Sequence, residues 1–310
     1  MKCRVCGEQA NIRLPQYNSA LCARDFIAFF EKRVSGTIAK YALLGSSDKT
    51  LVAVSGGKDS LSLWHLLYRL GFPADGIYID LGIRDYSCVS YVKARQMADR
   101  LQRRLYSFSL SETLGKGIGE LARIMKRAPC SLCGTIKRYV MNRACTQYGY
   151  SVLATGHNLD DEASALLGNL LHWKEEYLWK KGVVLDGRQG LAKKVKPFFL
   201  CSEKEAAAYA FLNDIDYVYE ECPHSFGAKT LLYKSLLNRV EDISPATKIA
   251  FLKGYLKRAK EEAAREVKEK VKGACKACGY PSYSEECNFC RLRKRFGIDA
   301  GVDFHVYPPF

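Results

Sequence analysis

Residues 50–60 read TLVAVSGGKDS. A short apolar and β-branched run breaks into two glycines, a lysine and an acid flanked by serines, and LSLWHLLYRLG then continues from Leu61 with helical periodicity to Gly71. A glycine turn between a strand and a helix lets backbone N–H groups approach a phosphate at the positive end of the helix dipole. Lys58 adds a mobile positive charge, Ser55 and Ser60 offer hydroxyl donors, and Asp59 is a candidate to hold Mg²⁺ or orient a reacting phosphate. The spacing is shorter than the Walker pattern G-x-x-x-x-G-K-[S/T]. The plain alternative is a chance Gly-Gly turn.

Outward from this loop, GIYID (76–80), LYSFSL (105–110), SVLATGH (151–157) and KVKPF (194–198) read as further strands. Helical patterns fall at about 87–104, from after Cys133 to about 148, at 203–213 and at 228–242, and residues 174–194 read as an insertion. The recurring β-α-β-α order predicts an α/β fold with a parallel sheet wrapped by helices. Phe26, Phe29, Phe30, Val34 and Ile38 give residues 23–44 a helical stripe leading into it. From Pro245 to Lys272 the pattern is one long charged helix: either a solvated surface helix laced with i,i+4 pairs or a basic face toward RNA.

The chain has 310 residues, with 48 Lys and Arg against 33 Asp and Glu. A formal charge of +15 with 12% aromatics suits a polyanionic partner, nucleic acid first. The start MKCRVCGEQA has no apolar leader, and no stretch approaches the roughly 18 apolar residues of a membrane span. The expectation is a soluble cytoplasmic protein that does not engage a membrane.

Thirteen cysteines without a leader argue for metal binding or catalysis over a disulfide framework. Cys275, Cys278, Cys287 and Cys290 place four soft ligands within sixteen residues, the spacing of a zinc ribbon. Cys3, Cys6 and Cys22 give three thiols, and Asp25 is the candidate fourth zinc ligand; its alternative role is an acid in the first turn of a helix. APCSLCGTIKRY supplies Cys130 and Cys133, and EECPHS supplies Cys222 about ninety residues later. Three thiolates on a four-iron cluster leave one iron open to an external ligand such as sulfide; a redox disulfide with a spare thiol and an incomplete structural zinc site are the competing readings. Cys88, Cys145 and Cys201 have no partners nearby and are expected to pack.

The strand, loop and helix around SGGKDS resemble the PP-loop ATP pyrophosphatase superfamily, whose members cut ATP between its α and β phosphates. C-x-x-C at 130, Lys137 in GTIKRY, TGHNLDDEA at 155–163, EECP around Cys222, GAKTLLYK at 227–234 and the terminal knuckles narrow the likeness to the TtcA/TtuA family of tRNA 2-thiouridine synthetases over residues 1 to about 295. The resemblance implies a Rossmann-like, adenine nucleotide alpha-hydrolase-like domain at 31–243, between an N-terminal zinc finger at 1–30 and, after a helical linker at 244–272, a zinc ribbon and tail at 273–310. It implies that Ala53, Ser55, Gly56, Gly57, Lys58, Asp59, Ser60, Ile79, Lys137 and Gly156 line an ATP site, and that Cys130, Cys133 and Cys222 bind [4Fe-4S]. Lys58, Asp59, Lys137 and Asp161 would carry the chemistry: adenylation of the C2 oxygen of T-loop 5-methyluridine 54 in tRNA, then sulfur transfer. Asp161 also sits at a helix start, where acids are favoured anyway. ATP, Mg²⁺, the cluster and two Zn²⁺ are the implied cofactors. The implied partners are tRNA, a ubiquitin-like carrier with a C-terminal thiocarboxylate (or sulfide in its place) and a second copy of the chain in a homodimer. The family's N-terminal zinc site ends in histidine where this chain has Asp25. Rival readings are a wobble-uridine thiolase, a non-catalytic zinc-knuckle RNA-binding protein and an amide-forming PP-loop synthetase.

Overall fold

The computed structural model describes residues 1–178, 182–187, 190–225, 227–263, 273–298 and 301–307. A hairpin of β1 (Ile12–Leu14) and β2 (Ser19–Leu21) opens the chain, and α1 (Ala23–Lys40) follows with Cys22 at its N-cap and Asp25 in its first turn. Phe26, Phe30, Val34 and Ile38 recur every four residues and are buried, which fixes the face that α1 turns inward. Next come β3 (Thr50–Val54), α2 (Lys58–Arg69), β4 (Ala74–Asp80), α3 (Arg84–Leu101), β5 (Leu105–Ser109), α4 (Leu110–Leu114), α5 (Ile118–Met125), α6 (Pro129–Tyr148) and β6 (Val152–Thr155). Then follow α7 (Leu159–Leu171), α8 (Glu175–Leu178), β7 (Val184–Leu185), β8 (Lys193–Val195), α9 (Glu203–Leu212), α10 (Lys229–Ile243) and α11 (Thr247–Ala263). The chain closes with β9 (Gly273–Ala274), β10 (Pro281–Ser282), α12 (Asn288–Arg295) and β11 (His305–Tyr307).

The main sheet runs β11-β5-β4-β3-β6-β8-β7, with parallel pairing from β5 through β8 and antiparallel strands at both edges. From β3 the chain steps outward to β4 and β5, then returns to place β6 on the other side of β3. That reversal opens a crevice at the carboxyl ends of β3 and β6, where α/β sheets bind ligands. The period of two divides the strand residues between two cores. Val52 and Val54 face the layer containing α1, α2, α3 and α9, whereas Leu51 faces α5, α6 and the C-terminal ribbon. On that second face, Tyr139 of α6 stacks on Phe289 at 4.1 Å between ring centroids, docking the ribbon on the domain.

Several details differ from the sequence reading. α6 begins at Pro129, so Cys130 and Cys133 lie in its first turns; proline tolerates the first helical position because it has no N–H to leave unpaired there. α4 and α5 occupy a stretch for which the pattern suggested no element. The expected insertion supplies the edge strand β7, and the expected tail supplies β11, which pairs with β5 in the main sheet. α1 runs through the expected boundary at residue 30. The long charged helix is α11 over 247–263, and residues 264–272 lie outside the described residues. Its start is docked, not solvated: Lys248 and Leu252 are buried, and the Lys248 ammonium lies 2.6 Å from the buried Asp160 carboxylate of α7. Each of these charges would be costly to bury alone. Cys145 and Cys201 are buried, and burial pushes both thiols up to about 12, as packing residues should behave; Cys88, expected to pack, is instead exposed on α3. Among the described residues no helix is long and apolar enough to cross a membrane.

Candidate active site and metal centres

The phosphate loop leaves β3 at Ser55 and enters α2 at Lys58. Gly56 has φ +78°, and a Cβ there would come within 2.6 Å of the Ser90 carbonyl oxygen, so both conformation and space demand glycine. Gly57 caps α2 in extended geometry. At the end of β6, a Cβ on Gly156 would meet the Asp59 and Ser60 backbone at 2.9 Å, so the TGHN turn lies directly on the loop. Ser60 is buried; its hydroxyl donates to the Gly57 carbonyl and accepts from the Ser55 amide, both at 3.0 Å. It therefore holds the loop's shape from within, whereas the sequence alone suggested an outward donor.

Beside the loop lies a charge network that no single motif announces. Lys58 Nζ is 3.2 Å from Asp59 and 2.6 Å from Glu203 at the start of α9, and Lys234 of α10 is 3.1 Å from Glu203 and 2.7 Å from Asp161. Glu203 thus bridges two lysines that stand 176 residues apart in the chain. Burial opposes both ammonium groups, but Asp59 and Glu203 hold Lys58, and Asp161 and Glu203 hold Lys234, above the ordinary lysine value. Burial raises the Asp59 carboxyl, with Lys58 acting against it. The Asn158 amide donates to Asp59 at 3.2 Å. Asn158 and Asp161 also form a reciprocal cap on α7, so Asp161 fills the helix-start role and faces Lys234 as well.

A cavity adjoins the loop. It is lined by Ala53, Ser55 and Ile79 from the strand ends, by Cys130, Cys133 and Lys137 from α6, and by Cys222 from the loop before α10. The other expected site residues, Gly56, Gly57, Lys58, Asp59, Ser60, Gly156 and Asp161, belong to the adjoining loop and network and do not line it. Cys133 and Lys137 stand one helical turn apart; burial raises the Cys133 thiol, and the Lys137 ammonium acts against that rise. Tyr78, Tyr86, Met141 and His224 also line the cavity, and Cys130 donates to the His224 carbonyl at 3.3 Å. Of the residues missed from sequence, Lys234 ends the GAKTLLYK motif, Asn158 lies in TGHNLDDEA and His224 follows Cys222 by two. Glu203 carried no signal beyond being an acid at a helix start.

Among the described residues, two sets of at least three ligand atoms lie within 4.8 Å of one another: Cys275, Cys278, Cys287 and Cys290, and Cys3, Cys6, Cys22 and Asp25. Cys278 and Cys287 sulfurs are 3.8 Å apart, as are Cys6 and Cys22. A tetrahedral ion with Zn–S bonds of about 2.3 Å needs sulfur edges of about 3.8 Å, so both sets fit one zinc each. Asp25 comes to 3.1 Å from Cys3, close enough to act as the fourth donor. Cys130, Cys133 and Cys222 do not form such a compact set although all three line one cavity. Three thiols converging on one cavity from α6 and the loop before α10 are the donor set of an iron–sulfur group that leaves one iron without a protein ligand. All thirteen cysteines are free thiols, so no disulfide joins the three.

A PP-loop domain family matches residues 29–222, and the N-terminal LIM domain of the 2-thiouridine synthetase TtuA matches residues 2–27. The tRNA-5-methyluridine(54) 2-sulfurtransferase of Thermus thermophilus is 44% identical over 94% of this chain and 91% of its own length. The enzyme of the same name from Pyrococcus horikoshii is 42% identical over 99% of this chain and 97% of its own. Among solved structures, the U34-tRNA thiolase NcsA of Methanococcus maripaludis with its [4Fe-4S] cluster superposes with a TM-score of 0.81 at 27% identity, covering 98% of this chain and 99% of that one.

Proposed function

This chain belongs to the tRNA-5-methyluridine(54) 2-sulfurtransferase family built on the PP-loop domain, and from that premise we propose how its residues divide the reaction. The protein is a tRNA 2-thiolation enzyme acting on the T-loop uridine. One observation carries the mechanism: Ala53 at the end of β3, Ser55 of the phosphate loop and the three cysteines line one cavity, so nucleotide and sulfur chemistry meet there.

ATP occupies the loop, with Ala53, Ser55, Gly56, Gly57, Lys58, Asp59, Ser60, Ile79, Lys137 and Gly156 forming its site. The uridine C2 oxygen attacks the α-phosphorus, pyrophosphate leaves and the N3 proton is lost. A carbonyl oxygen is a poor leaving group until it is adenylated. Lys58 stabilises the departing charge and Lys137 the α-phosphate, each a fixed cation aimed where charge develops. Asp59 and Asp161 flank the phosphates and would hold Mg²⁺, which would neutralise phosphate charge as pyrophosphate departs. Sulfur at the sulfide level, HS⁻, then adds to C2, AMP departs with the original oxygen, and the proton carried on sulfur returns to N3. Cys130, Cys133 and Cys222 would hold [4Fe-4S], which supplies when bound an iron with a free coordination position for the incoming sulfur.

The terminal knuckles hold one Zn²⁺ each and serve structure. The sulfur comes from a ubiquitin-like carrier's thiocarboxylate or from sulfide, and the enzyme works as a homodimer in the cytoplasm. Identities of 41–44% to T-loop enzymes against 27% to a U34 thiolase favour position 54 over the wobble uridine. The test is anaerobic reconstitution with ATP, Mg²⁺, sulfide and tRNA lacking thiolation, followed by nucleoside mapping. Sulfur at position 54 with AMP and pyrophosphate is the expected result. Sulfur at position 34 would reassign the substrate, and ADP with phosphate as the sole nucleotide products would overturn the adenylation step.

A further inference from the structure

The cavity is not closed. Tyr86, Ile83, Pro129 and His224 line both it and a second, open groove that runs from its mouth between the start of α3 and the outer face of α5. Along this groove stand Arg84, Arg123, Lys126 and Arg127, all exposed, against Asp85 and Glu120. Glu120 is already paired with Lys116 at 2.6 Å, and Arg127 reaches Ser131 at 3.1 Å. The side chains of Arg84, Arg123 and Lys126 have no hydrogen-bond or ion-pair partner among the described residues. Arg84 also stands at φ +34°, a strained conformation for a residue with a side chain.

Gly82 and Gly117 also line the groove. A Cβ on Gly117 would lie 2.6 Å from the Gly82 carbonyl oxygen, and the Ile118 amide donates to the Leu81 carbonyl at 2.8 Å, so the two segments meet without side chains between them. A row of unpaired cationic side chains along a groove that opens into the reaction cavity has the chemistry of a polyanion seat. The chain's +15 charge is consistent with such a partner.

Resting on the thiolase reading above, we propose that Arg84, Arg123 and Lys126 bind the sugar-phosphate backbone of the tRNA strand flanking the target uridine, so that the groove holds the strand while the base enters the cavity. Such contacts position and carry no sequence information. They also release counterions, which makes binding depend on salt by about one unit of logarithmic slope for each phosphate neutralised.

The experiment measures equilibrium binding of a tRNA transcript to the cluster-loaded protein across a salt series, comparing wild type, Arg84→Gln, Arg123→Gln/Lys126→Gln and, as an equal charge loss elsewhere, Lys32→Gln/Lys40→Gln on the exposed side of α1. The groove double variant is expected to bind about tenfold more weakly with a slope reduced by about two, with Arg84→Gln showing about half that slope change. ATP binding and cluster absorption should stay at wild-type levels, and the α1 variant should bind as wild type. Wild-type affinity and slope in the groove variants would overturn the proposal. So would unchanged tRNA binding with thiolation lost from a protein thiocarboxylate donor but kept with sulfide, which would make the groove the donor's seat. Absence of tRNA binding by the wild type would instead overturn the thiolase reading itself.

Discussion

The C-terminal ribbon and the central cavity both gather cysteines, and they do so by opposite routes. In the ribbon, four thiols within sixteen residues converge through local turns: the Gly279 amide donates to the Cys275 carbonyl, and the Cys287 amide donates to the Cys275 sulfur at 3.2 Å. In the cavity, Cys130 and Cys133 sit on the first turns of α6 while Cys222 arrives on the loop between α9 and α10, and the three are not among the compact ligand sets. Close spacing along the chain gives a closed four-ligand site suited to structure. Convergence from distant elements leaves three thiols on one cavity beside the phosphate loop. The N-terminal knuckle lies between these cases, gathered by local turns except for Asp25 on α1, the candidate fourth donor.

The largest effect should separate the two kinds of site outright. Cys222→Ser should abolish both the broad visible absorption of the cluster and tRNA thiolation while leaving ATP binding and zinc content unchanged. Thiolation at the wild-type rate by iron-free protein under reductant would break the comparison and favour a persulfide on one of these cysteines. Next in size, Lys58→Ala should lower thiolation at saturating ATP by at least about 100-fold, the scale of removing one preorganised charge from a transition state, with metal content intact. Lys234→Ala should cost less, about tenfold, because it reaches the loop through Glu203 and Asp161.

Zinc content sharpens the comparison at the N-terminus. Wild type should hold about two zinc per chain, one per four-ligand set, and Asp25→Ala about one, with Asp25→His restoring the second. Two zinc in the Asp25→Ala protein, by elemental analysis, would show that another group closes the site.

The smallest effect separates loss of the fold from loss of metal in acid. Burial pulls His65, hydrogen-bonded to Tyr209 at 3.0 Å, down to about 4. The folded protein thus keeps His65 neutral where the unfolded chain, with a value near 6.5, takes up a proton. This contribution is complete above about pH 6.5 and fades as the pH falls toward about 4. It is worth about 2 kcal/mol after allowance for partial solvent screening. Denaturant unfolding of His65→Gln should be correspondingly less pH-dependent than wild type across that window; parallel curves would show that the metal sites alone govern acid loss.

Adjacent residues in one short segment made the phosphate loop, the ribbon ligands and the α/β order legible from sequence alone. Periodicity marked α1 because Phe26, Phe30, Val34 and Ile38 repeat on one face. It missed β11 because an edge strand of three residues has too little pattern to stand out, and it did not foresee the docking of α11 because Lys248 is a surface residue by type and is buried only against Asp160. It suggested Ser60 as a phosphate donor because a hydroxyl's partner is not written in its neighbours; the turn itself captures it. The sequence by itself therefore determined the chemistry available: a phosphate loop, two compact metal sets and three further thiols. Only the tertiary structure decided that those thiols line a cavity beside the phosphate loop, that Glu203 joins Lys58 to Lys234, and that unpaired cationic side chains lead to its mouth. Local chain geometry fixes contacts a few residues apart, whereas contacts between helices and loops many residues apart depend on the order in which the sheet's strands are laid side by side.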